Sequence, residues 1–199
     1  MKKITTISIS IAIILFLGGI VMSFCAFSLV DFNITELGTQ GTYEKKEMRI
    51  TDFSQIKKIS FNDYNKGFNI KKSDTNEIVL SYYESEKETY EFTDENGVLS
   101  VSLKNNKKWY EYIGVNFDFS DKSIFLEVPE NFNFDLYVKT SNGKISIKDI
   151  NTINNIDLKT SNGTIDVDNV ESTGNISLIS SNGKIRVNQL KSENKINFS

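Results

Sequence analysis

LYVKTSNGKISIKDINTINN (136–155), IDLKTSNGTIDVDNVESTGN (156–175) and ISLISSNGKIRVNQLKSENK (176–195) follow one another without a gap, and INFS (196–199) opens a fourth copy. The tripeptides Ser141-Asn142-Gly143, Ser161-Asn162-Gly163 and Ser181-Asn182-Gly183 recur with a period of 20 residues. Five columns are apolar in every copy: Leu136/Ile156/Ile176, Val138/Leu158/Leu178, Ile145/Ile165/Ile185, Ile147/Val167/Val187 and Ile150/Val170/Leu190. The first two columns, and the next two, lie two residues apart, which is the spacing of a strand with one apolar face. Each unit therefore reads strand, tight turn, strand, loop. Asn-Gly at the turn predicts backbone of positive φ, which these residues tolerate.

One unit cannot stand alone. Ordering 20 residues costs more than five aliphatic side chains return, so the copies must order together by stacking. Two architectures satisfy this. In a β-solenoid each copy is one coil, and equivalent residues stack about 4.8 Å apart. Asn142, Asn162 and Asn182 would then form a ladder of amides. In a β-meander or sandwich each copy would be a hairpin. The constant period and the identical turns favour the solenoid, and the fold class is all-β. The nine Ser-Asn-Gly residues are read as structural turn residues. A ligand-binding ridge along the same column is the competing reading, and turn chemistry explains the residues without it.

Upstream of the repeats, residues 48–128 also read as strands. Ile59/Phe61, Phe68/Ile70, Ile78/Leu80/Tyr82, Tyr90/Phe92, Leu99/Val101/Leu103 and Ile124/Leu126/Val128 each set apolar groups on one face. Turn signals separate them, among them Asn65-Lys66-Gly67 and Asp94-Glu95-Asn96-Gly97. Glu84 to Glu91 is the best helical candidate, although its Tyr and Thr content suits a hairpin equally. Trp109, Tyr110 and Tyr112 form an aromatic cluster, read as half-buried sheet packing with a sugar-binding or interfacial patch as the alternative. Residues 31–47 are polar and aperiodic and read as a linker.

The amino terminus sets the compartment. Lys2 and Lys3 precede Ile4–Val30, a run of 27 residues without a charge. As a helix it would reach about 40 Å, against a hydrocarbon core of roughly 30 Å. The positive end should stay in the cytoplasm, with the rest of the chain outside. A cleaved signal peptide competes, and Ala26-Phe27-Ser28 is a passable cleavage site, but the apolar run exceeds a signal core. The expected organisation is an anchor (1–30), a linker (31–47), a strand-rich part (48–128) and the repeats (129–199). Cys25 is read as a buried apolar thiol of the anchor, and Gly19-x-x-x-Ser23 as ordinary small residues of a membrane helix.

Composition closes several routes. The chain has 199 residues, a net charge of −3, no His and one Cys. Cys/His zinc sites, His-based triads and an intrachain disulfide are excluded. No basic block offers a footprint for nucleic acid. Asp118/Asp121 and Asp166/Asp168 are carboxylate pairs, but the second lies on the polar side of a strand and reads as a solvated face. No phosphate loop or nucleophile elbow is present. The reading is no enzyme, no metal and no cofactor.

ENGVLSV (95–101), LEVPENF (126–132), KTSNGKISI (139–147) and KTSNGTIDV (159–167), behind a membrane anchor, resemble a family of bacterial membrane-anchored β-strand-repeat proteins labelled "putative adhesin", whose domain is of unknown function. The resemblance covers roughly Phe53 to Ser199. It implies an extracytoplasmic, β-solenoid-like domain on the bacterial cell envelope and an association with envelope-stress systems. It carries over no catalytic residue. The expected function is surface interaction or adhesion. An envelope-stress sensor working through a lateral membrane partner is the alternative. Expected partners are the bilayer, through residues 4–30, and a second copy or an envelope protein or glycan. The last strand offers Ile196 and Phe198 at a sheet edge, and unprotected edges recruit strands.

Overall fold

The computed structural model describes residues 2–29, 42–108 and 121–199. The chain divides into two units, one carrying the helix α1 (Lys2–Leu29) and the other the strands. In α1 the stretch Ile7–Leu29 is long and apolar enough to cross a bilayer, and none of it is buried against protein. Two of its serines are satisfied internally: Ser23 Oγ donates to the Gly19 carbonyl at 2.8 Å and Ser28 Oγ to that of Cys25 at 2.8 Å. Such a hydroxyl can enter lipid without an orphaned donor.

The repeats form parallel ladders with a 20-residue register. Ile145 pairs with Ile165 and Ile165 with Ile185, joining β9 (Ile145–Thr160), β10 (Ile165–Ser172) and β12 (Ile185–Ser192). Leu136 pairs with Ile156, Ile156 with Ile176 and Ile176 with Ile196, joining β8 (Phe134–Thr140), β9, β11 (Ile176–Ser180) and β13 (Ile196–Phe198). Hairpins would have given antiparallel pairs, so the fold is the solenoid. The sheet runs unbroken through β9, which serves one wall with its first half and the other with its second.

The solenoid begins earlier than the visible repeat. β2 (Lys58–Asn62) pairs in parallel with β8, and β3 (Phe68–Lys72) with β9. Ile59 lies beside Leu136 and Phe68 beside Ile145, 77 positions apart in each case. Residues 58–72 are thus a coil of the same internal spacing, with Tyr64-Asn65-Lys66 at the place of Ser141-Asn142-Gly143. Above it stand β6 (Val98–Asn105), parallel to β2, and β7 (Ile124–Val128), parallel to β3. The stack therefore departs from chain order: β2 and β3 lie between β6 and β7 on one side and β8 and β9 on the other.

At this end the walls close with antiparallel strands. β5 (Glu88–Glu95) covers β6, while β4 (Ile78–Glu84) covers β7 and is itself covered by β1 (Glu44–Ile50). Asn96 and Gly97, with φ of 54° and 77°, make the two-residue turn from β5 to β6. Both values suit the mirror-image turn that matches strand twist. Glu84–Glu91 is no helix but the passage from β4 to β5, which belong to different walls. Glu44–Glu47, assigned to the linker, are strand: pairing with β4 supplies the hydrogen bonds that their polar sequence gives no hint of. Trp109, Tyr110, Tyr112 and Asp118 lie outside the described residues.

Between the walls runs a single apolar core. Ile59, Val138, Ile145, Ile147, Leu158, Ile165, Val170 and Leu178 are fully enclosed, and the rings of Phe61 and Phe68 lie 5.2 Å apart within it. The apolar columns read from the sequence are its layers.

The repeated turn works differently from the expectation. Neither Asn142, Asn162, Asn182 nor the glycines after them have positive φ. Glycine is required there by close approach. A Cβ on Gly163 would stand 1.9 Å from the Gly143 carbonyl oxygen, and one on Gly183 1.7 Å from that of Gly163. The left-handed residues sit at another corner, Asp149, Asn169 and Gln189, with φ of 52° to 55°.

Candidate functional site

The corners carry polar ladders. Asn142 donates its amide to Asn65 Oδ1 at 2.6 Å, Asn162 to Asn142 at 2.7 Å and Asn182 to Asn162 at 3.0 Å. Each rung joins successive coils and keeps one direction: the later coil donates, the earlier accepts. A hydroxyl closes each corner from inside. Thr140, Thr160 and Ser180 accept the amide hydrogens of Gly143, Gly163 and Gly183 at 3.2, 3.0 and 3.0 Å. Thr160 Oγ1 and Ser180 Oγ also reach the glycine carbonyls of the coil before, at 3.4 and 3.0 Å. In the sequence this hydroxyl column is KTSNG, KTSNG and ISSNG, the Thr or Ser immediately before each Ser-Asn-Gly motif. Asp166 and Asp168 face outward between coils. Lys144 and Arg186 reach Asp166 at 2.6 and 3.4 Å, and Asn188 donates to Asp168 at 2.8 Å. They are bound within the wall, in the manner of cross-strand pairs. Asp121 is held by Ser123, whose backbone and hydroxyl both donate to it.

The carboxy-terminal end of the β unit presents half-exposed apolar side chains. Ile196 and Phe198 sit on β13 beside Ile176 and Leu178. Phe198 is 53% exposed and Val187 41%, whereas Leu178 and Val167, one coil inward, are 0% and 3% exposed. Among the described residues no strand pairs with the outer edges of β12 and β13.

The opposite end holds a buried charged cluster that the sequence did not suggest. Its members come from five separate segments. Glu88, at the head of β5, accepts from Tyr43 Oη, from Lys107 at 2.9 Å and from Asn105 at 3.3 Å, with Lys66 at 3.7 Å. The ammonium groups of Lys66, Lys122 and Lys107 stand 4.5, 4.7 and 5.7 Å from the centre of the Tyr43 ring. Alongside, Tyr90 Oη donates to Asp63 at 2.6 Å, and Asp63 accepts the amides of Asn65 and Lys66 at 2.8 and 2.9 Å. So the cluster caps the column of corners where Asn65 is the first rung.

Burial alone would push the Glu88 carboxyl up, but Tyr43, Lys107 and Lys66 outweigh it and hold it below the usual carboxylate range. Burial lowers the Lys66 ammonium, against the pull of Glu88 and Asp63. Burial and the neighbouring Asp63 raise the Tyr90 phenol. A carboxyl with a depressed folded-state pKa stabilises the fold above its unfolded value, and that contribution disappears as pH falls through the folded value. Glu88→Gln is therefore expected to cost about 3 kcal/mol at neutral pH, because it leaves two lysines without their counter-charge. The deficit should shrink below pH of about 4, where the parent chain also loses the charge. Thermal melts at pH 7 and pH 3 check this. An equal deficit at both values would mean that the ionised carboxylate contributes nothing.

No group of three or more acidic or Cys side chains able to hold a metal ion occurs among the described residues.

A protein-family model described as Toastrack DUF4097, a domain of unknown function, matches residues 56–198. Three solved structures are similar in fold. A "putative cell adhesion protein" from Clostridium sporogenes is 13% identical, with a TM-score of 0.43, over 78% of this chain and 99% of that one. A "putative adhesin" from Bacteroides fragilis is 10% identical, with a TM-score of 0.37, over 81% and 99%. A "putative lipid binding protein" from Parabacteroides distasonis is 17% identical, with a TM-score of 0.30, over 80% and 79%. No protein of curated function matches the chain.

Proposed function

The chain belongs to the Toastrack DUF4097 family, and on that premise we propose that it is a non-enzymatic protein of the bacterial cell envelope that acts by surface interaction. Residues 4–30 anchor it in the bilayer, with Lys2 and Lys3 on the cytoplasmic side and the β domain outside. The apolar, uncharged stretch Ile7–Leu29 supports the anchor, and the charge of the two lysines before it supports its direction. The Ser-Asn-Gly corners act as structural joints.

The observation that carries the interaction is the contrast between the two ends of the solenoid. One end finishes in antiparallel strands whose outer members, β1 and β5, are rich in charged side chains. The other sets half-exposed apolar side chains beside its open strand edges. Such edges add strands from a second chain, and main-chain hydrogen bonds supply the affinity. The partner is a second copy, or an envelope protein or glycan that covers the same end. Ile196 and Phe198 are the contact residues.

Full-length chain, one copy per lipid nanodisc, tests this by sedimentation. Discs are expected to associate as their concentration rises, and Ile196→Lys with Phe198→Lys should abolish the association. Discs that sediment singly at every concentration would overturn self-association. Association unchanged by the two lysines would overturn the assignment to this edge.

A further inference from the structure

We infer that the buried cluster around Tyr43 is a force-bearing clasp, which keeps a pull on the amino-terminal tail from peeling the outermost strand off the β domain.

The argument begins with β1. It closes one wall of the solenoid, so it has a single neighbour, β4. Its pairing runs from Glu44 opposite Glu84 to Ile50 opposite Ile78. Most of it is exposed, and only Met48 and Ile50 pack against the core. The chain that leads from α1 reaches the β unit here. Tension on that chain is delivered to the first pair of β1. With the far end of the stack held, the pull lies along the stack and across the strands. Across-strand tension opens a ladder one pair at a time, so each step resists with little more than one hydrogen bond, worth about 1 kcal/mol net. An edge strand loaded this way is the weakest entrance to the fold.

Tyr43 stands immediately before that first pair. Its hydroxyl donates to Glu88 of β5 and lies 3.1 Å from Lys107 Nζ, beyond β6. Lys66, from the β2–β3 corner, and Lys122, ahead of β7, hold its ring from other sides. Tension therefore passes at residue 43 into elements of both walls before it reaches β1. Opening the clasp means breaking several charge-assisted contacts at once, and such contacts are the strong ones. The placement of the cluster, one residue ahead of the edge strand, suits this task.

The role as a tether rests on the anchored reading above; the mechanical property does not. Single-molecule pulling on the full-length chain in detergent, with handles at both termini, measures it. Tyr43→Ala is expected to add an early step at low force, as β1 opens and releases about 25 Å of chain, and to lower the first rupture force at least about twofold. Tyr43→Phe, which keeps the ring but not the bond to Glu88, should lie between. A second handle at Thr51→Cys, in a Cys25→Ser background, bypasses the clasp. From there Tyr43→Ala and its parent should rupture at the same force. Equal rupture forces under terminal pulling would overturn the clasp. So would an equal loss from both handle positions, which would mean a general loss of stability. Either result leaves the sedimentation test of the carboxy-terminal edge unaffected.

Discussion

Gly163→Ala should cost the β domain about 3–5 kcal/mol, a range reached only where a named steric or electrostatic fault exists. Here the fault is the 1.9 Å separation between the new Cβ and the Gly143 carbonyl oxygen. The obstacle is backbone, so no side chain can swing aside. The corner must move, and two interactions go with it: the Gly163 amide to Thr160 Oγ1 and the Asn162 rung. Because each coil is the platform for the next, the damage spreads to β11 and β13. In circular-dichroism melts of the full-length chain in detergent, the transition is expected to fall by about 10 °C or more. A fall of only about 2 °C would mean that the stack has slack at its corners, contrary to the close packing of protein interiors.

Phe61→Ala is expected to cost a similar amount, about 3–5 kcal/mol. The local sequence places it on the apolar face of a strand but not in the repeat stack, since it lies more than 70 positions before the first repeat. In the structure its ring is 1% exposed, beside Phe68, and its strand lies between β6 and β8 in the middle of the wall. The melt should remain one transition, because strands on either side of β2 come from both parts of the chain. Two transitions, with the later one at the parent temperature, would separate residues 136–199 as an independent unit and refute the continuous stack.

The comparison of these two residues explains what could be read from sequence. Gly163 belongs to a column whose period is set by the chain itself, so the copies align and their apolar positions become visible together. Register, parallel pairing and the core layers of residues 136–195 follow from that period. Phe61 belongs to a coil with the same internal spacing, but 77 positions separate it from its counterpart, and Tyr64-Asn65-Lys66 keeps only the Asn of the motif. A non-sequential stack erases the period while keeping the geometry. The glycine serves a different property from the one its motif suggests. Sequence offered positive φ as the usual reason for Asn-Gly, whereas the reason is the distance to a backbone atom in the neighbouring coil, which only the stack supplies. The left-handed corner at Asp149, Asn169 and Gln189 was equally periodic, but three different side chains concealed it. The charged cluster was the least legible part. Tyr43, Lys66, Glu88, Lys107 and Lys122 are ordinary surface residues one by one. Their meaning comes from convergence, and convergence is a property of topology.

The one-way amide ladder has a consequence for how such a domain can change size. A new coil brings its own donors and meets acceptors already waiting, and it leaves behind an identical set. Inserting or removing 20 residues within 136–195 therefore leaves every rung intact. Inserting 19 or 21 rotates each later side chain out of its column and turns apolar faces toward water. The length of this molecule is thus quantised. It can be extended or shortened by whole turns at little structural cost, so the length of the stack becomes a trait that gene duplication adjusts in fixed steps of one strand spacing, about 4.8 Å each.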